Sequence, residues 1–207
     1  MEFTSELIMS VNRHRLGIDG DGVTTLVAFH GCPLRCRYCL NPSCLGEPAG
    51  IREYTPAELY AATYIDELYF LATGGGVTFG GGEPGLRPQF IQEFRELCGD
   101  EWKINIETSL NVPSENVDAL LNVADFFIID IKDMNPAIYQ RYTGRDNRWV
   151  IHNLNLIAEH GRQNDCLIRI PLIPDFNTET DRAASIQQLR SSGFTRFDLF
   201  DYIIREH

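Results

Sequence analysis

The chain has 207 residues, 43% of them hydrophobic, with 29 acidic against 18 basic side chains and a formal net charge of −11. That length suffices to bury a full core in one domain, while the acidic balance, with no Lys/Arg cluster longer than a pair, argues against a phosphate backbone as partner. No run of about 18 apolar residues is available to cross a membrane, and MEFTSELIMSVNRH lacks the basic-then-apolar layout of a secretory signal, so the expectation is a cytoplasmic protein that binds neither membrane nor nucleic acid.

In chain order, residues 1–22 read as a lead-in that ends in the turn-rich GIDGDG, and 23–207 as one domain. VTTLVAF (23–29) predicts the first strand, followed by the cysteine-rich GCPLRCRYCLNP and the helix-like PAELYAATYIDELYFLA. GVTFGG (76–81), INIETS (104–109), FFIIDI (126–131), LIRIPLI (167–173) and FDLFDYI (197–203) predict five more strands. Between them lie RPQFIQEFRELC, SENVDALLNVA, HNLNLIAEH and TETDRAASIQQLRSS, several opening on a Ser, Thr or Pro start signal. This alternation predicts an α/β protein with a parallel sheet and helices outside it. The runs read as apolar on both faces, as in buried parallel strands. Six units fall short of the eight of a closed barrel, so the expected fold is a partial, open (β/α)6 TIM-like barrel.

Chemistry in such barrels collects where the strands end. The first run ends in HGCPLRCRYC, the second in GGGEP, the third in ETS, the fourth in DIKDMN and the fifth in IPLIPDFN. Each of these loops carries residues that a plain connector does not need.

Six cysteines are too few and too unevenly spread for a disulfide scaffold of this size. Cys98 and Cys166 stand alone in apolar surroundings and read as small buried hydrophobes. Cys32, Cys36 and Cys39 fall within eight positions. A structural zinc site needs four ligands, with Cys44 the candidate for the fourth. A redox pair at Cys36 and Cys39 leaves Cys32 idle. Three thiolates on a four-iron, four-sulfur cluster, with the fourth iron open to a substrate, use the set as it stands.

The CxxxCxYC pattern, Cys32 to Cys39 with Tyr38 before the third cysteine, resembles the cluster motif of the radical S-adenosylmethionine superfamily. GIDGDGVTTLVAFHGCPLRCRYCLNP, GGGVTFGGGEP and DIKDMNPAIYQRYTG together resemble the glycyl-radical enzyme activating enzymes, from about residue 17 to about residue 175. The resemblance implies one 4Fe-4S cluster on Cys32, Cys36 and Cys39, with S-adenosyl-L-methionine chelating the open iron. Reductive cleavage of that cofactor to a 5'-deoxyadenosyl radical, and abstraction of hydrogen from a glycine of a partner glycyl-radical enzyme, would follow. It also implies a low-potential electron donor such as flavodoxin or ferredoxin, and an anaerobic setting.

By the same resemblance, Tyr38, Gly81, Gly82, Glu83, Glu107, Asp130, Lys132 and Arg169 are candidate cofactor contacts, and a monovalent cation is expected near Glu107, Thr108 and Asp130. Plainer readings stand beside these: Lys132 as counter-ion to the acid pair, Arg169 in a salt bridge to Asp130 or Glu107, and His30 as a satisfied strand-end histidine. The chain departs from the activase pattern in having Glu107 for a shorter Asp, Asp21 for a proline in GIDGDG, and Ile203 where a histidine is usual. Two other functions compete: a radical enzyme acting on a small molecule or peptide, and a zinc-stabilised binding module.

Overall fold

The computed structural model describes residues 3–202. In chain order they form β1 (Glu6–Leu16), β2 (Val23–Phe29), β3 (Arg52–Tyr54), α1 (Pro56–Thr63), α2 (Glu67–Thr73), β4 (Gly76–Gly81), α3 (Pro88–Cys98), β5 (Lys103–Thr108), α4 (Ser114–Leu121), β6 (Phe126–Asp130), α5 (Pro136–Thr143), α6 (Arg148–Glu159), β7 (Cys166–Leu172), α7 (Glu179–Ser191) and β8 (Phe197–Asp201). The sheet order is β3-β1-β2-β4-β5-β6-β7-β8. The six strands β2 and β4 to β8 are parallel, and β1 and β3 add an antiparallel edge. The sheet stays open, a half-barrel with its helices on one side. Ile203 lies outside the described residues.

Three elements differ from expectation. The segment expected as a lead-in contains β1, which pairs with β2 and is part of the sheet. Only Ile8 of its eleven residues is buried, so the strand carries little of the apolar signal by which strands are recognised. The long helix-like stretch after residue 55 breaks at Tyr64–Asp66, where the fully buried Asp66 turns inward and accepts from Arg13 Nε at 2.6 Å. PAIYQRYT forms α5, capped by Asn135 and stopped by Gly144 in the left-handed conformation.

The strands are not apolar on both faces. Val27, Phe29, Val77, Phe79, Ile104, Ile106, Phe127, Ile129, Ile168 and Ile170 point to the helices and join one hydrophobic core. Each such residue stabilises the fold by about 1.5–3 kcal/mol. The alternate residues face the concave side, where the register lines up Thr78 with Asn105 and Asp130 with Arg169 and then Asp198. A closed barrel fills its interior with aliphatic layers; an open one exposes this face, and polar side chains occupy it. The GIDGDG turn folds onto it. Thr78 Oγ1 and Asn105 Nδ2 donate to the Asp19 carbonyl, and Arg169 Nη2 donates to the Ile18 carbonyl at 2.8 Å.

Candidate active site

Because the parallel strands run the same way, the loops after β2, β4, β5 and β6 converge on one rim. Gly31, two residues past β2, sits at φ +95, a conformation open to glycine. The cysteine loop that follows is pinned at the backbone. Gly31 N–H donates to Cys44 O, Arg35 N–H to Thr143 O at 2.8 Å, and Arg37 N–H to Tyr142 O at 3.1 Å. Cys32, Cys36, Cys39 and Cys44 line a single cleft with Gly81, Gly82, Glu83, Glu107, Thr108, Ser109, Asp130 and Lys132.

All four thiols are free. Burial pushes the Cys32 thiol up to about 12 and Cys44 up to about 11, and raises Cys36 as well. Thiols this desolvated become thiolates only against a positive centre such as a metal. Among the described residues no three His, Cys, Asp or Glu side chains converge on one point, as a single zinc ion would require. An iron–sulfur cubane would offer each thiolate a separate iron.

Opposite the thiols, the second glycine triplet packs the rim. A Cβ on Gly81 would lie 2.6 Å from Ala28 Cα, and one on Gly82 would lie 2.2 Å from Gly31 O. Gly82 N–H donates to Phe29 O and Glu83 N–H to Gly31 O, each at 2.9 Å. The close approach that these glycines permit is therefore to the root of the cysteine loop. Asn41, two residues past Cys39, closes the other side by donating to Gly81 O at 3.1 Å.

Glu83 is 1% exposed and its carboxylate is saturated. Thr108 Oγ1 (2.5 Å) and Gly85 N–H (2.9 Å) donate to one oxygen, and Ser109 N–H (2.9 Å) and Oγ (2.6 Å) to the other. Leu110, at φ +57, holds the turn in which Ser109 presents both groups; a non-glycine residue there costs about 1–2 kcal/mol. Ser109 and Asn41 were not anticipated from sequence. Their positions beside Thr108 and Cys39 are the only local hint.

The remaining charges pair among themselves. Lys132 Nζ lies 3.1 Å from Asp130 Oδ2; burial works against its charge, but Asp130 holds the ammonium well above the ordinary lysine range. Arg169 pairs with Glu107 and lies 3.5 Å from Asp198. Burial, with repulsion from Asp130, pushes Glu107 up to about 7 despite that guanidinium. Of the oxygens expected near a monovalent cation, Arg169 takes Glu107 Oε1, Lys132 takes Asp130 Oδ2, and Thr108 Oγ1 donates to Glu83 while accepting from Leu110 N–H.

Two candidates stand apart from the cleft lining. Tyr38 packs its ring against Phe176, Tyr142 and Tyr202, with its hydroxyl 3.4 Å from Asp175, and Arg169, in register with Asp130, bridges the sheet to GIDGDG. His30 is 3.0 Å from the Gly46 carbonyl. Cys166 is fully buried and Cys98 half-buried, both away from the cleft.

The sequence profile of the Radical SAM superfamily matches residues 26–185. A pyruvate formate-lyase-activating enzyme of Clostridium pasteurianum is 34% identical over 175 residues, which cover 83% of this chain and 70% of that protein. A (2S)-3-sulfopropanediol dehydratase activating enzyme of Klebsiella oxytoca is 27% identical, covering 84% of this chain and 73% of that one. Among solved structures, Streptococcus suis SuiB bound to S-adenosylmethionine shares the fold with a TM-score of 0.64, at 16% identity, over 87% of this chain and 42% of that one. With its thiol-lined cleft at the mouth of an open half-barrel, the chain belongs to the radical S-adenosylmethionine superfamily and is a relative of the pyruvate formate-lyase-activating enzymes.

Proposed function

We propose that this chain activates a glycyl-radical enzyme, using one 4Fe-4S cluster held by Cys32, Cys36 and Cys39 and S-adenosyl-L-methionine bound beside it. The carrying observation is the free, desolvated thiol set facing Gly81–Glu83 across one cleft, in a chain whose relatives include two different activating enzymes. When bound, the reduced cluster would donate one electron and the cofactor would supply the sulfonium carbon–sulfur bond that this electron breaks, chemistry that yields methionine and a carbon radical able to take hydrogen from a glycine Cα.

The chain's own residues position that chemistry. The Gly81–Gly82 backbone fixes the distance between the cysteine loop and β4. Glu83 acts as a positioning residue, clamping the β4 and β5 loops together through its four hydrogen bonds. Lys132, 8% exposed and lining the cleft, offers its ammonium to a carboxylate of the cofactor. A monovalent cation near Glu107, Thr108 and Asp130 belongs to this reading, beside the carboxylate oxygens that Arg169 and Lys132 do not take. A cytoplasmic, anaerobic setting is part of the same reading. No helix among the described residues is long and apolar enough to cross a membrane.

Electron paramagnetic resonance provides the test. Reduced, reconstituted protein mixed with S-adenosylmethionine and a candidate glycyl-radical enzyme is expected to yield a protein-borne organic radical. Cofactor cleavage with a changed small molecule or peptide, and no such radical, would replace this substrate assignment.

A further inference from the structure

The chain is strongly acidic overall, yet one face beside the cysteine loop is basic. Arg35, Arg37, Arg141, Arg145 and Arg148 are all exposed. They lie on two segments, 31–46 and 136–149, that backbone hydrogen bonds from Arg35 and Arg37 to Thr143 and Tyr142 hold side by side. The first segment contains no acid and the second only Asp146, which pairs with Arg148 at 2.9 Å. Asp175 also lies on this face, next to the Tyr38 hydroxyl, and Asp181 is near enough to Arg141 to feel its charge.

Arg145 and Arg148, with Asp146 between them, border a groove of about 860 Å³ that is also lined by Pro33, Leu86, Val112, Trp149 and His152. Trp149 is 45% exposed. Pro33 faces this groove while its neighbours Cys32 and Leu34 face the thiol cleft. The wall between outer groove and cluster ligands is therefore a single segment of main chain. Two arginines brace it, with Arg145 Nε donating to Pro33 O at 3.2 Å and Arg35 Nη1 to Cys32 O at 2.8 Å.

We propose that this arginine-rimmed groove docks an acidic one-electron carrier protein, which delivers its electron across the Cys32–Pro33 segment. The proposal rests on the cluster assignment above. The step transfers one electron: the carrier is oxidised by one, the cluster is reduced by one, and no bond or proton moves. An acidic carrier is repelled by most of this surface and attracted at one place, which orients the encounter. A small basic rim around an apolar centre suits the brief contacts of electron-transfer partners, which bury less than about 1,200 Å².

The test is rapid mixing of reconstituted holoenzyme with flavodoxin reduced to its hydroquinone, following cluster reduction by absorbance. Arg148 is 87% exposed and its side chain bonds only to Asp146 among the described residues. Arg148→Glu is expected to slow the second-order rate about fivefold or more, and Asp146→Lys to speed it. Opposite shifts from adjacent exposed sites exclude a folding defect as the cause. The rate in the unmodified protein should also fall as salt rises. Reduction by dithionite should be the same in all three proteins. If the unmodified protein assembles no cluster, or cannot cleave the cofactor with dithionite, it is the functional reading that fails. If those steps succeed and the flavodoxin rate ignores both charge changes, the docking proposal is overturned. It is overturned equally if Arg148→Glu slows only radical transfer to the glycyl-radical partner under dithionite.

Discussion

The two sides of the rim meet their electrostatic needs in different ways. On the β5–β7 side, Glu107, Asp130, Lys132 and Arg169 pair with one another, and Glu83 draws four donors from its neighbours. On the β2 side, Cys32, Cys36 and Cys44 are desolvated thiols that burial holds protonated, with no cation of the described residues bonded to them. In the proposed reading the thiol side receives the external group, and the charged side is a preorganised wall.

The sharpest way to break this contrast is to remove one thiol. Cys36→Ala is expected to lower activity by a factor of about 1,000 or more and to reduce cluster iron, measured by elemental analysis of the anaerobically reconstituted protein. An effect of Cys36→Ala no larger than that of Cys44→Ala would erase the distinction between cluster ligand and bystander. On the wall side, Glu83→Ala leaves two hydroxyls and two N–H groups without their acceptor. Chemical denaturation is expected to show a loss of about 3 kcal/mol.

A smaller effect comes from Glu107. Its folded-state value of about 7 lies above the ordinary 4.5, so between those values the folded protein binds more protons than the unfolded chain. Its contribution to stability is therefore present below about pH 4.5 and lost as pH rises toward 7. Glu107→Gln is expected to lack that decline, and thermal unfolding across this range measures the difference in slope. The smallest effect is expected for Cys44→Ala, which keeps iron and activity and costs about 1 kcal/mol of lost burial. In the proposed reading Cys44 lines the cleft beside the other thiols without holding the cluster.

These contrasts differ in how visible they are in the sequence. The six parallel strands can be read because each is a short β-branched or aromatic run, and the thiols because their spacing is local. β1 escapes such a reading because ELIMSVNRHRL buries a single residue. The run-like look of the strands also hides their polar concave face, since one charged residue such as Arg169 in LIRIPLI reads as an exception until its neighbours in register, Asp130 and Asp198, stand beside it. The basic rim cannot be found along the chain at all. It exists only because the cysteine loop pairs with the end of α5, bringing together arginines about a hundred residues apart. The same holds for Ser109, whose role depends on a carboxylate from the preceding strand unit.

The proposed function turns on Cys32, Cys36 and Cys39 holding an iron–sulfur cluster that keeps one iron open for S-adenosylmethionine. The decisive measurement is electron paramagnetic resonance of the reduced, reconstituted protein, recorded with and without that cofactor. A reduced-cluster signal whose shape changes on adding S-adenosylmethionine is the expected result. A signal indifferent to the cofactor, or a protein that takes up zinc and no iron under the same treatment, would refute the assignment.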